Sequence, residues 1–239
     1  MVLLTGERAN GLTETFATLI HQAARHGGRH ILVLDDCLEY PEPEGDARVC
    51  MRQVGLHTKS YVAGLTAALR SKPDMIFIGD ASDPETFNLA LNAAESGIQV
   101  VAAVHAATTT AALKRVISLY PSYVQPRVRS ILASTLRAVI ATRLVPATDR
   151  NRFLLATELL KPARSAREII RAGSIDQLKL VLRLDDRCQG YPLDTSLLEL
   201  LEAGVARFED VFPFAHDKSL FLQSQRAFPN SQRPEKIHG

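Results

Sequence analysis

A chain of 239 residues, 46% hydrophobic and 23% charged, can bury a sizeable core as one large domain or one domain with a small appendage. Its net charge of +2 supplies neither the basic stripe of a nucleic-acid binder nor an acidic shell. Three scattered cysteines (Cys37, Cys50 and Cys188), the lack of zinc-ligand spacings and the lack of any apolar run near ~20 residues argue against a disulfide framework, a structural zinc and direct membrane insertion.

In chain order, residues 2–5 read as a buried strand. Behind it, residues 6–13 (GERANGLT) have the length and frame of a phosphate-binding loop, G-x-x-x-x-G-K-[ST], with Leu12 at the lysine position. Such a loop works because backbone N–H groups wrap the phosphates, the lysine meets the β and γ oxygens and the hydroxyl holds Mg²⁺. Taken alone, two glycines and a threonine at this spacing occur by chance and fit an ordinary strand–turn–helix junction better. Residues 13–24 carry helix-period apolar positions at Phe16, Leu19 and Ile20, ended by His26, Gly27 and Gly28. The strand 31–34 delivers acids at its carboxyl end: Asp35, Asp36 and, one turn later, Glu39.

Pro41 and Pro43 open an irregular segment to about Thr58. A helix over 60–71 follows, then a short strand over 75–78 ending at Gly79-Asp80. Asp83-Pro84-Glu85 is a strong start for a helix running to Glu95. Residues 100–104 form a fourth strand with His105 at its exit, and threonines 108–110 open a helix that Pro121 ends. Runs at 138–144 and 153–159 read as strands, after which the pattern is helical near 165–172, 174–183, 194–203 and 207–214. The predicted class is α/β: a doubly wound, mostly parallel core over 1–160, a small helical C-terminal domain over 161–222 and a polar, disordered tail over 223–239.

In a parallel sheet ligands collect at the carboxyl ends of the strands, so Glu39 and Asp80 are aimed at the crevice of residues 6–13. Hydrolysis of a γ-phosphate needs one carboxylate to orient water and another to order Mg²⁺. Singly, Asp35, Asp36 and Asp80 also fit as caps of strand-to-loop turns, and His105 as a packed or capping histidine. Their joint occurrence at successive strand ends favours a site.

Residues 52–58 (RQVGLHT), 67–70 (AALR), 73–80 (PDMIFIGD), 83–86 (DPET), 89–97 (LALNAAESG), 104–108 (VHAAT), 165–173 (SAREIIRAG) and 215–217 (AHD) carry a specific likeness. Together they resemble the retraction ATPases of type IV pili, the PilT branch of the RecA-like, hexameric secretion ATPases, over nearly the whole chain to about residue 222. The resemblance implies that Gly6, Arg8, Ala9, Asn10, Gly11, Leu12 and Thr13 form the Walker A loop. It places Asp35 and Asp36 in an aspartate box whose last acid, Glu39, is the catalytic glutamate, Asp80 at Walker B, His105 in the histidine box and Arg52 near the nucleotide. Thr13 and, through water, Asp80 would hold Mg²⁺ beside ATP or ADP.

Departures concentrate in that machinery. Leu12 replaces the lysine, Ala9 a loop glycine, which discourages positive φ, and Glu7 brings a negative charge close to the phosphates. Asp35 and Asp80 are one methylene shorter than the family's acids, and Thr66 and Ser82 stand where arginines are usual. The resemblance further implies that the family's N-terminal PAS-like domain is missing, since the sequence opens at the phosphate-loop strand. The resulting expectation is a catalytically impaired accessory or regulatory subunit of a pilus or type II secretion-like motor. The alternative is a weak or partner-completed ATPase driving pilus retraction. Expected partners are copies of itself in a homo-hexamer, or an active homologous ATPase in a mixed oligomer, and the pilus platform protein of the inner membrane. With a first run of only four apolar residues before Glu7 and Arg8, no signal peptide is expected, and the expected location is cytoplasmic, peripheral at the membrane only through partners.

Overall fold

The computed structural model describes residues 1–38, 40–184 and 190–227. Glu39 and residues 228–239 of the expected tail lie outside them. Among the described residues seven strands form one sheet: β1 (Val2–Gly6), β2 (His30–Asp35), β3 (Arg48–Gln53), β4 (Met75–Ile78), β5 (Gln99–Val104), β6 (Ala138–Pro146) and β7 (Phe153–Leu160). Their order is β3-β2-β4-β5-β1-β6-β7, parallel throughout except for β7, which runs antiparallel to β6 at one edge. The strands β1, β2, β4 and β5 are unbroken apolar runs because helices cover both of their faces.

Strand alternation sorts those runs into two layers. Leu4, Ile31, Val33, Phe77, Val101 and Ala103 face Phe16 and Ile20 of α1 (Leu12–Ala24). Leu3, Leu32, Leu34, Ile76, Ile78, Ala102 and Val104 face the opposite helical layer. That layer holds α2 (Tyr61–Leu69), α3 (Pro84–Glu95), α4 (Thr109–Ser118), α5 (Gln125–Thr135), α6 (Arg164–Ala172) and α7 (Leu178–Leu184). Side-chain caps fix three of these starts: Ser60 accepts from the Ala63 amide, Asp83 from Thr86 and Thr108 from Ala111. A third cluster joins Val145 of β6 and Ala156 of β7 to α8 (Leu193–Glu202), α9 (Phe208–Val211) and α10 (Lys218–Ala227). No helix of the described residues is long and apolar enough to cross a membrane.

The expected α/β class, a mostly parallel sheet flanked by helices, is what the structure shows. Three details differ. β3 lies inside the stretch expected to be irregular; as an edge strand with no fully buried residue it has no apolar signature to read. α5 fills the gap between Pro121 and β6, its Pro126 in the first turn and Val128, Ile131 and Leu132 turned inward. α10 makes residues 223–227 helical rather than part of a tail.

Candidate nucleotide-binding site

β1 sits between β5 and β6 and ends at Gly6, so the loop of residues 6–13 leaves the sheet at its carboxyl edge. Ala9 takes φ 59° and Gly11 φ 77°, both left-handed. The sequence led us to expect that alanine would avoid this region; it does not, because the next turn is pinned. Asn10 Oδ1 accepts from the Leu144 amide at 3.2 Å and its Nδ2 donates to the Arg8 carbonyl. A Cβ on Gly11 would stand 3.0 Å from Leu155 Cδ1 as well as straining that φ. Holding alanine there costs about 1–2 kcal/mol. Gly11, the N-cap of α1, has no side chain to offer, so the first amides of a 13-residue helix keep their attraction for an anion.

The side chains of the loop are less accommodating. Leu12 opens α1 and packs half-buried against the layer of Leu4 and Phe16. Thr13 and Arg8 are exposed, and neither has a side-chain bond among the described residues. The negative charge of Glu7 is paired: Arg143 of β6 meets its carboxylate at 2.8 Å.

The acids stand two and three strands further on. Asp80, at the end of β4, accepts from the Ser82 amide at 3.0 Å. Asp35, at the end of β2, is 8% exposed; it accepts from the Asp36 amide at 2.9 Å and from the hydroxyls of Tyr40 (3.2 Å) and Tyr61 (3.4 Å). The Tyr61 oxygen also accepts from the Asp36 amide at 3.0 Å. Burial, and after it the carboxylates of Asp35, Asp36 and Asp80, hold the Tyr61 hydroxyl far above its ordinary range.

Burial first, and then the hydrogen-bonded, like-charged Asp36, push Asp35 up from 3.8 to about 6, against a downward pull from Tyr40. The folded chain therefore holds this proton more tightly than the unfolded one. The corresponding stability is full below pH 3.8 and is lost as pH rises through about 6. Asp35→Asn is expected to flatten the stability profile between those values and to stabilise the chain at neutral pH by on the order of 2–3 kcal/mol. Urea titrations at pH 4.5 and 7.5 check it; an unchanged difference between the two pH values would refute it.

Among the sequence-derived candidates, the loop, His105 and Asp80 stand at the ends of three neighbouring strands. His105 is exposed, and the next residue is tied to β1 by the Thr5 hydroxyl donating to the Ala106 carbonyl at 2.8 Å. Asp35 and Asp36 are three strand spacings from β1, about 14 Å across the sheet. Arg52 on the edge strand β3 is four spacings away, about 19 Å, and is not brought to the loop within one chain. Thr66 turns its hydroxyl back onto Val62, and the Ser82 hydroxyl is buried without a partner among the described residues. Sequence reasoning missed Arg143, although the lone charge within a mostly apolar strand was a visible signal.

The family of type II/IV secretion system proteins matches residues 1–178. The chain belongs to that family. Within it, this secretion-family chain is 32% identical over 205 residues to the twitching motility protein of Neisseria gonorrhoeae, covering 86% of this chain and 55% of the relative. To the type IV pilus retraction ATPase PilT of Pseudomonas aeruginosa it is 29% identical over 210 residues, covering 88% and 61%. The crystal structure of the pilus retraction motor PilT with bound ADP superposes with a TM-score of 0.84 at 31% identity, over 93% of this chain and 63% of that one. The Legionella pneumophila ATPase DotB shares the fold, with a TM-score of 0.78 at 22% identity. The sheet with its flanking helices thus matches the RecA-type fold of that retraction motor. The chain spans little more than half the length of these curated relatives.

The loop backbone has two left-handed residues and leads into a helix start without a side-chain cap, features that a phosphate-binding loop uses. The residue at position 12 brings no cation to it.

Proposed function

We propose that this secretion-family protein is an accessory or regulatory subunit of a type IV pilus or type II secretion-like motor, with a nucleotide site impaired in catalysis. The supporting observation is the Leu12 side chain, packed on the core where a charge should meet the phosphates. Loss of one preorganised charge aimed at the transition state costs about 3 kcal/mol, or 10²–10³ in rate. In this reading Thr13 and the water-bridged Asp80 are the Mg²⁺ positions, Glu39 and His105 the remnants of the catalytic set, and Asp35, Asp36 and Arg52 the outer nucleotide shell. The subunit works in a homo-hexamer or in a mixed oligomer with an active homologous ATPase, against the inner-membrane platform protein, from the cytoplasmic side.

A second reading, a weak or partner-completed ATPase, is favoured by Ala9, which keeps the left-handed turn of a phosphate loop despite its Cβ. Titration of the purified chain with a fluorescent ATP analogue, with and without Mg²⁺, together with phosphate release, separates the two. The accessory reading expects no release by the chain alone. Release that persists in pure protein and disappears in Glu39→Gln would replace it with the second reading.

A further inference from the structure

Arg143 is placed beside the phosphate loop by the register of the sheet. Gly6, the last residue of β1, pairs with Thr142, and β6 continues past it to Pro146. The first side chain beyond the end of β1 is therefore that of Arg143, and the Leu144 amide is already bonded to Asn10 of the loop. The Arg143 side chain is 16% exposed, and its guanidinium lies 4.7 Å from the centre of the Phe214 ring, which shields one face. The Nε donor is buried with no partner among the described residues. A guanidinium offers five donors, and leaving a buried one unmet, as at Nε, carries a cost. Its anionic partner is Glu7, at 2.8 Å and 53% exposed, so the carboxylate is the member of the pair free to swing into water.

We propose that Arg143 is the cation of this phosphate site and Glu7 its built-in competitor, an anionic latch that must open before a polyphosphate is held. The inference rests on the nucleotide-site reading above and deepens it. A triphosphate end carries more charge than a carboxylate and matches the planar fork of arginine, so it can displace Glu7 while the carboxylate turns to solvent. Arg143 then serves from the neighbouring strand the oxygens that residue 12 cannot reach.

The test uses the full chain and two probes, inorganic tripolyphosphate and a fluorescent ATP analogue, read by binding and by ligand-induced rise in melting temperature. Glu7→Gln is expected to bind both probes on the order of tenfold to a hundredfold more tightly than the wild type, the scale of one charge-assisted contact. Arg143→Gln and the double variant Glu7→Gln/Arg143→Gln are expected to lose that binding. Arg143→Lys, which keeps the charge without the fork, should fall between them and guards against misreading a variant that fails to fold. Equal binding by Glu7→Gln and wild type, a gain that survives in the double variant, or a gain seen with the nucleotide but not with tripolyphosphate overturns the latch. Leu12→Lys serves as an independent control. Binding by Leu12→Lys without a gain in Glu7→Gln sinks the latch alone; no binding by either sinks the nucleotide-site reading with it.

Discussion

Leu12→Lys is expected to raise the affinity of the chain for a Mg²⁺–ATP analogue by about two orders of magnitude, the value of one preorganised charge on a phosphate. The substitution is tolerable locally. Leu12 is the first residue of α1 and only half-buried, so the apolar stem of lysine can follow the same path over Leu4 and Phe16 with its ammonium in water. A cation at a helix start opposes the macrodipole by about 0.3–1 kcal/mol, partly relieved by Glu14 in the same turn. A modest fall in melting temperature without ligand, reversed by nucleotide, should accompany the gain. Isothermal titration beside the wild type checks it. A folded variant that still ignores nucleotide would show that the loop's backbone, and not its missing charge, is the defect.

The second large effect concerns a residue with no side chain. Gly79 passes so close to the acid cluster that a Cβ on it would fall 2.0 Å from Asp35 Oδ1 and 2.3 Å from its Cγ. Gly79→Ala is expected to destabilise the chain by about 3–5 kcal/mol, combining overpacking with broken hydrogen bonds to a buried carboxyl. The carboxyl cannot simply retreat, because the hydroxyls of Tyr40 and Tyr61 and the Asp36 amide surround it. Asp35→Ala/Gly79→Ala should therefore be more stable than the sum of the single changes, since removing the carboxyl removes the collision. Additive losses in denaturant titrations would mean that the glycine is needed for some reason other than Asp35.

What could be read from the sequence follows what each residue must bury. β1, β2, β4 and β5 are central parallel strands, and their unbroken apolar runs announced them. The helix after Asp83-Pro84 was equally plain, because its cap chemistry is local. β3 escaped because an edge strand need not be apolar, and α5 because its first turn is Gln125-Pro126-Arg127, polar and interrupted. The same limit applies at the site. The strand-end acids were visible, since topology alone places them. The Glu7–Arg143 pair joins positions far apart in the chain, and the Asp35–Tyr40–Tyr61 contacts depend on how a loop and a helix close over one strand end. Nor did the loop sequence reveal that Ala9 would adopt a left-handed turn, which is set by what Asn10 and Gly11 touch on β6 and β7.

The central place of β1 has a consequence for how the chain is made. Its ladder partners are Val101 and its neighbours on β5 and Ala138 and its neighbours on β6, about a hundred residues and more downstream. At ribosomal speeds of ~5–20 residues per second, this apolar strand waits on the order of 5–20 s for its first neighbour. β2, β3 and β4 can pair meanwhile, and β1 joins the open edge of β5 once that strand has emerged, to be enclosed when β6 follows. During that interval Val2–Gly6 has two open hydrogen-bonding edges, which exposes the nascent chain to self-association until β5 and β6 cover them.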